Sequence, residues 1–206
     1  NWQATALADA VAAKKNILVV GGTSTGKTTL TNALLAEVAA TSDRVVLIED
    51  TLELQCAAPN LVSLRTKDGV ATLSDLVRSA LRLRPDRIVL GELRGEESVS
   101  FLRAINTGHP GSFSTVHANS LHGALEQLSL MVMQTGIGLS RRDIIAYAAS
   151  VIDVMVQLAR EWVAKTGTAP SFYKADVDAA YRRIPIKPSQ RWAAGVAFIV
   201  DTVIMY

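Results

Sequence analysis

The run Gly21-Gly22-Thr23-Ser24-Thr25-Gly26-Lys27-Thr28 fits G-x-x-x-x-G-K-[ST] and sits between the strand-like Ile17-Leu18-Val19-Val20 and a helix-like stretch over 29–40. No other feature constrains the fold as tightly, because a strand, a glycine loop and a helix in that order make a P-loop. The glycines let consecutive backbone N–H groups face a chain of phosphates, and the helix behind adds the positive end of its dipole. Gly21 through Thr29 are therefore the expected nucleotide-binding residues. Lys27 would reach the β- and γ-phosphates, and Thr28 would hold Mg²⁺.

A chain of 206 residues with 49% hydrophobic content can bury a full core. Its net charge of +2 arises after residue 160, since acids and bases are equal in number before it. A neutral P-loop region argues against nucleic acid as the main ligand. Cys56 is the only cysteine, which excludes an internal disulfide and a cysteine metal cluster and fits a reducing compartment. The opening Asn1-Trp2-Gln3-Ala4 does not read as a signal peptide, and the uncharged apolar run at 192–200 is too short to span a bilayer.

Strand-like segments at 16–20, 44–49, 61–65, 87–92, 111–117 and 151–158 alternate with helix-like ones. That pattern predicts an α/β domain, a mainly parallel sheet covered by helices on both faces. Thr72 and Asp75 form a capping box ahead of Leu73, Leu76, Val77, Ala80 and Leu81, and Ser140 with Asp143 opens another helix. After Arg160 the periodicity lapses and Gly167, Pro170, Pro185 and Pro188 accumulate, so a boundary is expected there: a domain over 1–160 and an atypical C-terminal segment over 161–206.

A P-loop needs acidic partners to place a cation and an attacking water. The apolar strand Arg87-Ile88-Val89-Leu90-Gly91-Glu92 ends in an acid, the layout of a Walker B element, with Gly91 where many P-loop proteins carry Asp. Glu92 would act on Mg²⁺ through water or on the attacking water itself. A second strand runs into Glu49, Asp50 and Glu53, and carboxylates at the end of a parallel strand point toward the ligand crevice. Glu49 is the first candidate for orienting the water. Asp50 and Glu53 either share that work or form a solvated, arginine-paired turn. His109 and His117 flank one short strand, with Ser114 and Thr115 beside the second. They read better as a γ-phosphate sensor than as a metal site, and His122 reads as a surface residue. Arg78, Arg82 and Arg84 are solvated, unless one serves a neighbouring subunit's phosphates.

Taken in order, four blocks resemble the secretion and conjugation traffic ATPases, nearest to the TrbB-type conjugative-transfer and type IV secretion members, with pilus-motor and type II secretion ATPases further away. They are GGTSTGKT at 21–28, IEDTLEL at 48–54, RLRPDRIVLGELRG at 82–95 and NTGHPGSFSTVHANS at 106–120. The resemblance spans 2–160 and implies a RecA-like P-loop ATPase using ATP and Mg²⁺, with Lys27, Glu49, Glu92 and His117 catalytic and Thr28 and Glu92 at the metal. It further implies a homo-hexameric ring, peripheral to the cytoplasmic face of the inner membrane, that works with other secretion subunits. A separate N-terminal domain covers the nucleotide in that family, and this sequence looks like the C-terminal half. Two departures bear on activity. Ser24 stands where relatives commonly have Gly, at a backbone position that prefers positive φ, and Gln127 stands where they commonly have Arg.

The stretch 174–186 resembles the first palm motif of retroelement reverse transcriptases, with Asp176 at the metal-binding aspartate, but the second acidic motif is not in the sequence. The expected function is therefore the ATP-hydrolysing motor core of a type IV secretion or conjugative system. The alternatives are a non-catalytic nucleotide-binding relic or assembly module and, further off, a RecA-like nucleic-acid motor.

Overall fold

Successive residues of a strand face opposite ways, and in the central strands here both sets are apolar and buried. In β1 (Ile17–Gly21), Leu18 and Val20 join one core while Ile17 and Val19 join another. β2 (Arg44–Glu49) divides likewise, Val46 and Ile48 to the first core and Val45 and Leu47 to the second. A sheet apolar on both faces must be covered on both. The computed structural model, which describes residues 2–158 and 200–205, has that three-layered architecture.

Helices α1 (Trp2–Ala12) and α2 (Lys27–Val38) cover one face. The other is covered by α3 (Leu73–Ala80), α4 (Glu97–Asn106), α5 (Leu121–Gln134) and α6 (Arg141–Val151). With β3 (Asn60–Arg65), β4 (Arg87–Leu93), β5 (Phe113–His117), β6 (Val154–Leu158) and β7 (Val200–Met205), the strand order is β3-β2-β4-β5-β1-β6-β7. Every pairing is parallel except β6 with β7. The carboxyl ends of β1, β2, β4, β5 and β6 therefore lie along one edge, where α/β sheets hold their ligands. β5 stands between the P-loop strand β1 and the Glu92 strand β4.

The caps are those the sequence predicts. Thr72 and Asp75 exchange side-chain and backbone hydrogen bonds at the start of α3, and Ser140 accepts from the Asp143 amide at the start of α6. At the amino edge of the sheet Arg87, 1% exposed, donates through Nε to Asp43 Oδ2 at 2.7 Å and through Nη2 to Val11 O at 3.0 Å. That buried pair ties β4 to the approach of β2 and to α1.

The bounds expected for two strands shift, and the one expected over 111–117 begins at Phe113. The strand expected over 151–158 begins at Val154, because Val151 closes α6 and its carbonyl accepts from Asn16 Nδ2. Val151 and Ile152 are apolar and buried, which suits either period. Residues 200–205, inside the stretch set apart as an appendage, hydrogen-bond along β6 as an antiparallel strand. The palm-like motif at 174–186 lies outside the described residues.

Candidate active site

The P-loop leaves β1 at Gly21, which stands in register with His117 of β5 and Leu158 of β6. A Cβ on Gly21 would collide with Thr25 Oγ1 and press on Leu158 Cβ and O, each at 3.3 Å, so the loop closes this tightly around glycine. The Thr25 hydroxyl donates to Gly22 O at 2.9 Å. Gly26, at φ 94°, turns the chain into α2, a conformation that glycine adopts without steric cost. Ser24, exposed, has φ 58°, so the positive φ expected there is present under a residue with a Cβ.

Lys27 is 9% exposed. Its ammonium donates to Gly21 O and Gly22 O, both at 2.9 Å, and faces His117 Nδ1 at 3.3 Å. Burial lowers its pKa, against the opposing pull of the Glu92 and Glu53 carboxylates. An ammonium has no lone pair, so His117 Nδ1 must accept, and Nε2 therefore carries the proton. That Nε2 lies 2.9 Å from Glu92 Oε1, an acceptor, so the histidine joins the P-loop lysine to the Walker B carboxylate.

Glu92 reaches this position through an irregularity in β4. Leu90 pairs with Ser114 and Leu93 with Val116, so two residues of β4 stand opposite one of β5. The extra residue makes a bulge, which re-aims the neighbouring side chain. The Thr115 hydroxyl takes up the Gly91 carbonyl at 2.9 Å. Glu92 Oε2 accepts from Arg94 Nε at 2.8 Å and Nη2 at 2.7 Å, while Arg94 Nη1 donates to Asp50 Oδ2 at 2.6 Å. The backbone carrying Arg94 is held in turn by Glu97, buried, whose Oε1 accepts from the Arg94 and Gly95 amides at 2.5 and 2.7 Å.

The acids of 49–53 are not equivalent. Glu49 is 3% exposed, and its Oε1 accepts from the Glu53 and Leu54 amides at 3.0 and 2.8 Å. Asp50 pairs with Arg94, and Glu53 Oε2 accepts from the Thr28 hydroxyl at 3.0 Å.

Lys27, Thr28, Glu53, Glu92 and His117 are thus brought to one edge, with Glu49 beneath them. His109 is not among them. It precedes the amino end of β5 and its Nδ1 donates to Ala104 O at 3.0 Å, so the two histidines are separated by the strand they flank and of the two only His117 stands beside the P-loop. Arg78 is an exposed partner of Asp75, and Arg82 and Arg84 lie just before β4, at the opposite edge from the P-loop. His122 and Gln127 are exposed on α5. Sequence reasoning missed Arg94 and Glu97. Arg94 stands just past the end of β4, two residues after Glu92, the spacing that would return it to the same face if the strand ran on.

The family model described as "Type II/IV secretion system protein" matches residues 2–204. This chain belongs to that family. Among curated relatives it is 43% identical over 160 residues to the conjugal transfer protein TrbB of Rhizobium radiobacter, covering 77% of this chain and 48% of that one. It is 46% identical over 161 residues to the type IV secretion system protein VirB11 of Bartonella quintana, covering 75% of this chain and 45% of the relative. The chain therefore spans just under half the length of these relatives. The crystal structure of the Brucella suis VirB11 ATPase, solved in complex with sulphate, superposes with a TM-score of 0.73 at 37% identity, over 79% of this chain and 48% of that one. The α/β fold is that of the secretion ATPases.

Proposed function

We propose that this chain is the ATP-binding and hydrolysing core of a type IV secretion or conjugative transfer motor. The observation that carries the reading is the continuous contact from Lys27 through His117 to Glu92 and Arg94, which couples the P-loop to a strand-end carboxylate across β5. The Brucella suis relative is by its description an ATPase and was solved with sulphate, a dianion of phosphate-like shape, which supports a phosphate-binding role for the shared core.

The loop amides and Lys27 would bind the phosphates, at the positive end of α2. For Mg²⁺ the donor set fits: the Thr28 hydroxyl stands 3.0 Å from Glu53 and the Glu92 carboxylate lies in the same cluster, hard oxygen donors suited to a hard cation. Among the described residues no three His, Cys, Asp or Glu converge as a cage. Mg²⁺ supplies neutralisation of phosphate charge when bound. Thr28 and Glu92 would hold it, and Glu92 would also orient the attacking water. His117, bonded to Glu92 and touching Lys27, would sense whether a γ-phosphate engages the lysine.

A homo-hexameric ring, attachment to other secretion subunits and a place at the cytoplasmic face of the inner membrane belong to the same proposal; of these, the names of the relatives, a conjugal transfer protein and a type IV secretion system protein, support the second. Among the described residues no helix is long and apolar enough to cross a membrane. The division of the chain near residue 160 is part of the proposal too, with the whole site inside 1–160.

The test is Mg²⁺-dependent ATP hydrolysis and nucleotide binding by the full chain, by Lys27→Ala and Glu92→Ala variants, and by a chain ended after Arg160. Turnover lost by about 100-fold or more in both variants, with binding retained in the shortened chain, is the expected result. Turnover indifferent to Lys27→Ala overturns the motor reading, and binding without turnover marks a relic.

A further inference from the structure

The three acids that follow β2 differ in what holds them, and only one carboxylate meets the P-loop helix. Asp50 is committed to Arg94 at 2.6 Å. Glu49 points inward: Oε1 takes the Glu53 and Leu54 amides, and Oε2 is buried with no hydrogen-bond partner. A carboxylate that spends one oxygen on two successive amides fixes the shape of a turn. The turn that Glu49 fixes carries Glu53, whose side chain is exposed and accepts the Thr28 hydroxyl proton at 3.0 Å.

A second tie holds the same turn against α2. Asn32, one helical turn beyond Thr28, donates from Nδ2 to Glu53 O at 3.4 Å and accepts from the Gln55 amide at 2.8 Å through Oδ1. Residues 53–55 are thus fastened to the P-loop helix from above and braced by Glu49 from below. The consequence lies in the hydroxyl's inventory. A threonine hydroxyl has one proton and two lone pairs. With its proton given to Glu53, Thr28 keeps both lone pairs for a cation, and the nearby carboxylate makes that oxygen a better donor, as the partners of metal ligands commonly do.

We infer that Glu53 is the positioning residue that orients the Thr28 hydroxyl toward the nucleotide's divalent cation, and that Glu49 serves the site by holding Glu53 in place. The inference rests on the nucleotide reading above, and it moves the polar work of the acidic box from its first glutamate to its last. Glu53 also lies close enough to Lys27 to oppose the lowering of the lysine pKa, so its charge is felt at the P-loop itself.

The experiment compares the affinity of the full-length chain for a fluorescent ATP analogue with and without Mg²⁺, in wild type, Glu53→Ala, Glu49→Gln and Glu49→Ala, at a temperature below every melting midpoint. Glutamine keeps an oxygen that can accept the two amides, so Glu49→Gln preserves the brace while removing the charge. The expected result is that Glu53→Ala and Glu49→Ala cut the Mg²⁺-linked gain in affinity about 10- to 100-fold, while Glu53→Ala binds the analogue without Mg²⁺ at least as well as wild type. Glu49→Gln should retain most of the gain. The inference is overturned if Glu53→Ala keeps the full gain, or if Glu49→Gln loses as much as Glu49→Ala. A wild-type chain with no Mg²⁺-linked gain overturns the nucleotide reading and this inference with it, and that failure is visible in the wild-type arm alone.

Discussion

Asp43→Asn isolates a buried ion pair in the described core. Arg87 is 1% exposed, and Asp43 supplies the negative charge facing it, with the Val11 carbonyl as a neutral partner at 3.0 Å. Asparagine is nearly isosteric but neutral, and its amide would turn a donor toward either Arg87 or Lys14, which bond the two Asp43 oxygens at 2.7 and 2.8 Å. Removing one partner of a buried ion pair costs about 3–5 kcal/mol, against a total stability of roughly 5–15 kcal/mol for a domain. At 2–4 °C per kcal/mol for this size, the melting midpoint should fall by roughly 6–20 °C. Lys14 is 41% exposed, so Lys14→Ala removes a largely solvated pair and should cost no more than about 1 kcal/mol. The pH dependence has a definite sign. Burial alone would raise the Asp43 pKa, but hydrogen bonds from Lys14 and Arg87 outweigh it and hold the carboxyl below its usual range. Its contribution is thus complete above the unfolded carboxylate value and is lost as pH falls through the folded one. Thermal melts followed by circular dichroism from neutral to acid pH should show wild type and Asp43→Asn converging as pH falls. A variant that melts within about 2 °C of wild type at neutral pH, less than one kcal/mol, would refute the reasoning.

Ser24→Gly should raise the midpoint by about 1–4 °C, since a left-handed residue with a Cβ costs roughly 1–2 kcal/mol and glycine returns part of that gain as chain entropy; a lower midpoint refutes it. Arg94→Ala releases Glu92 and Asp50 together and should reduce kcat roughly 10- to 100-fold with KM little changed. Arg94→Lys should restore only part of this, because an ammonium lacks the planar fork that engages both acids, and an unchanged kcat in steady-state assays refutes the role.

How much of this was legible depends on whether the signal is local. The P-loop, the bounds of β2 and the Thr72 and Ser140 caps are set within a few residues by backbone chemistry, and the structure has them where the pattern puts them. The bulge beside Gly91 went unread in the sequence, although a glycine inside an apolar strand is its local sign. The histidines misled because the pattern places both beside β5 but does not distinguish its ends. Parallel pairing with β1 puts His117 against Gly21 and leaves His109 at the far edge. Nothing local in the sequence singles out Arg94, and only the approach of β2 to β4 reveals the two acids it bridges.

The amino-acid sequence by itself determined the layers and the chemistry on offer. Strands apolar on both faces require helices on both, and a G-x-x-x-x-G-K-T loop after a strand requires a phosphate-facing turn. Only the tertiary structure decided which acid does what. Glu49, Asp50 and Glu53 are similar in charge and close in sequence, yet one is buried under backbone amides, one is paired with arginine and one rests on Thr28. The physical reason is that a carboxylate's role follows from its desolvation and from the donors it meets: Glu49 is buried on the amides of its own turn, whereas the donors to Asp50 and Glu53 come from the end of β4 and from α2, distant in sequence and brought to this edge by the packing of the sheet.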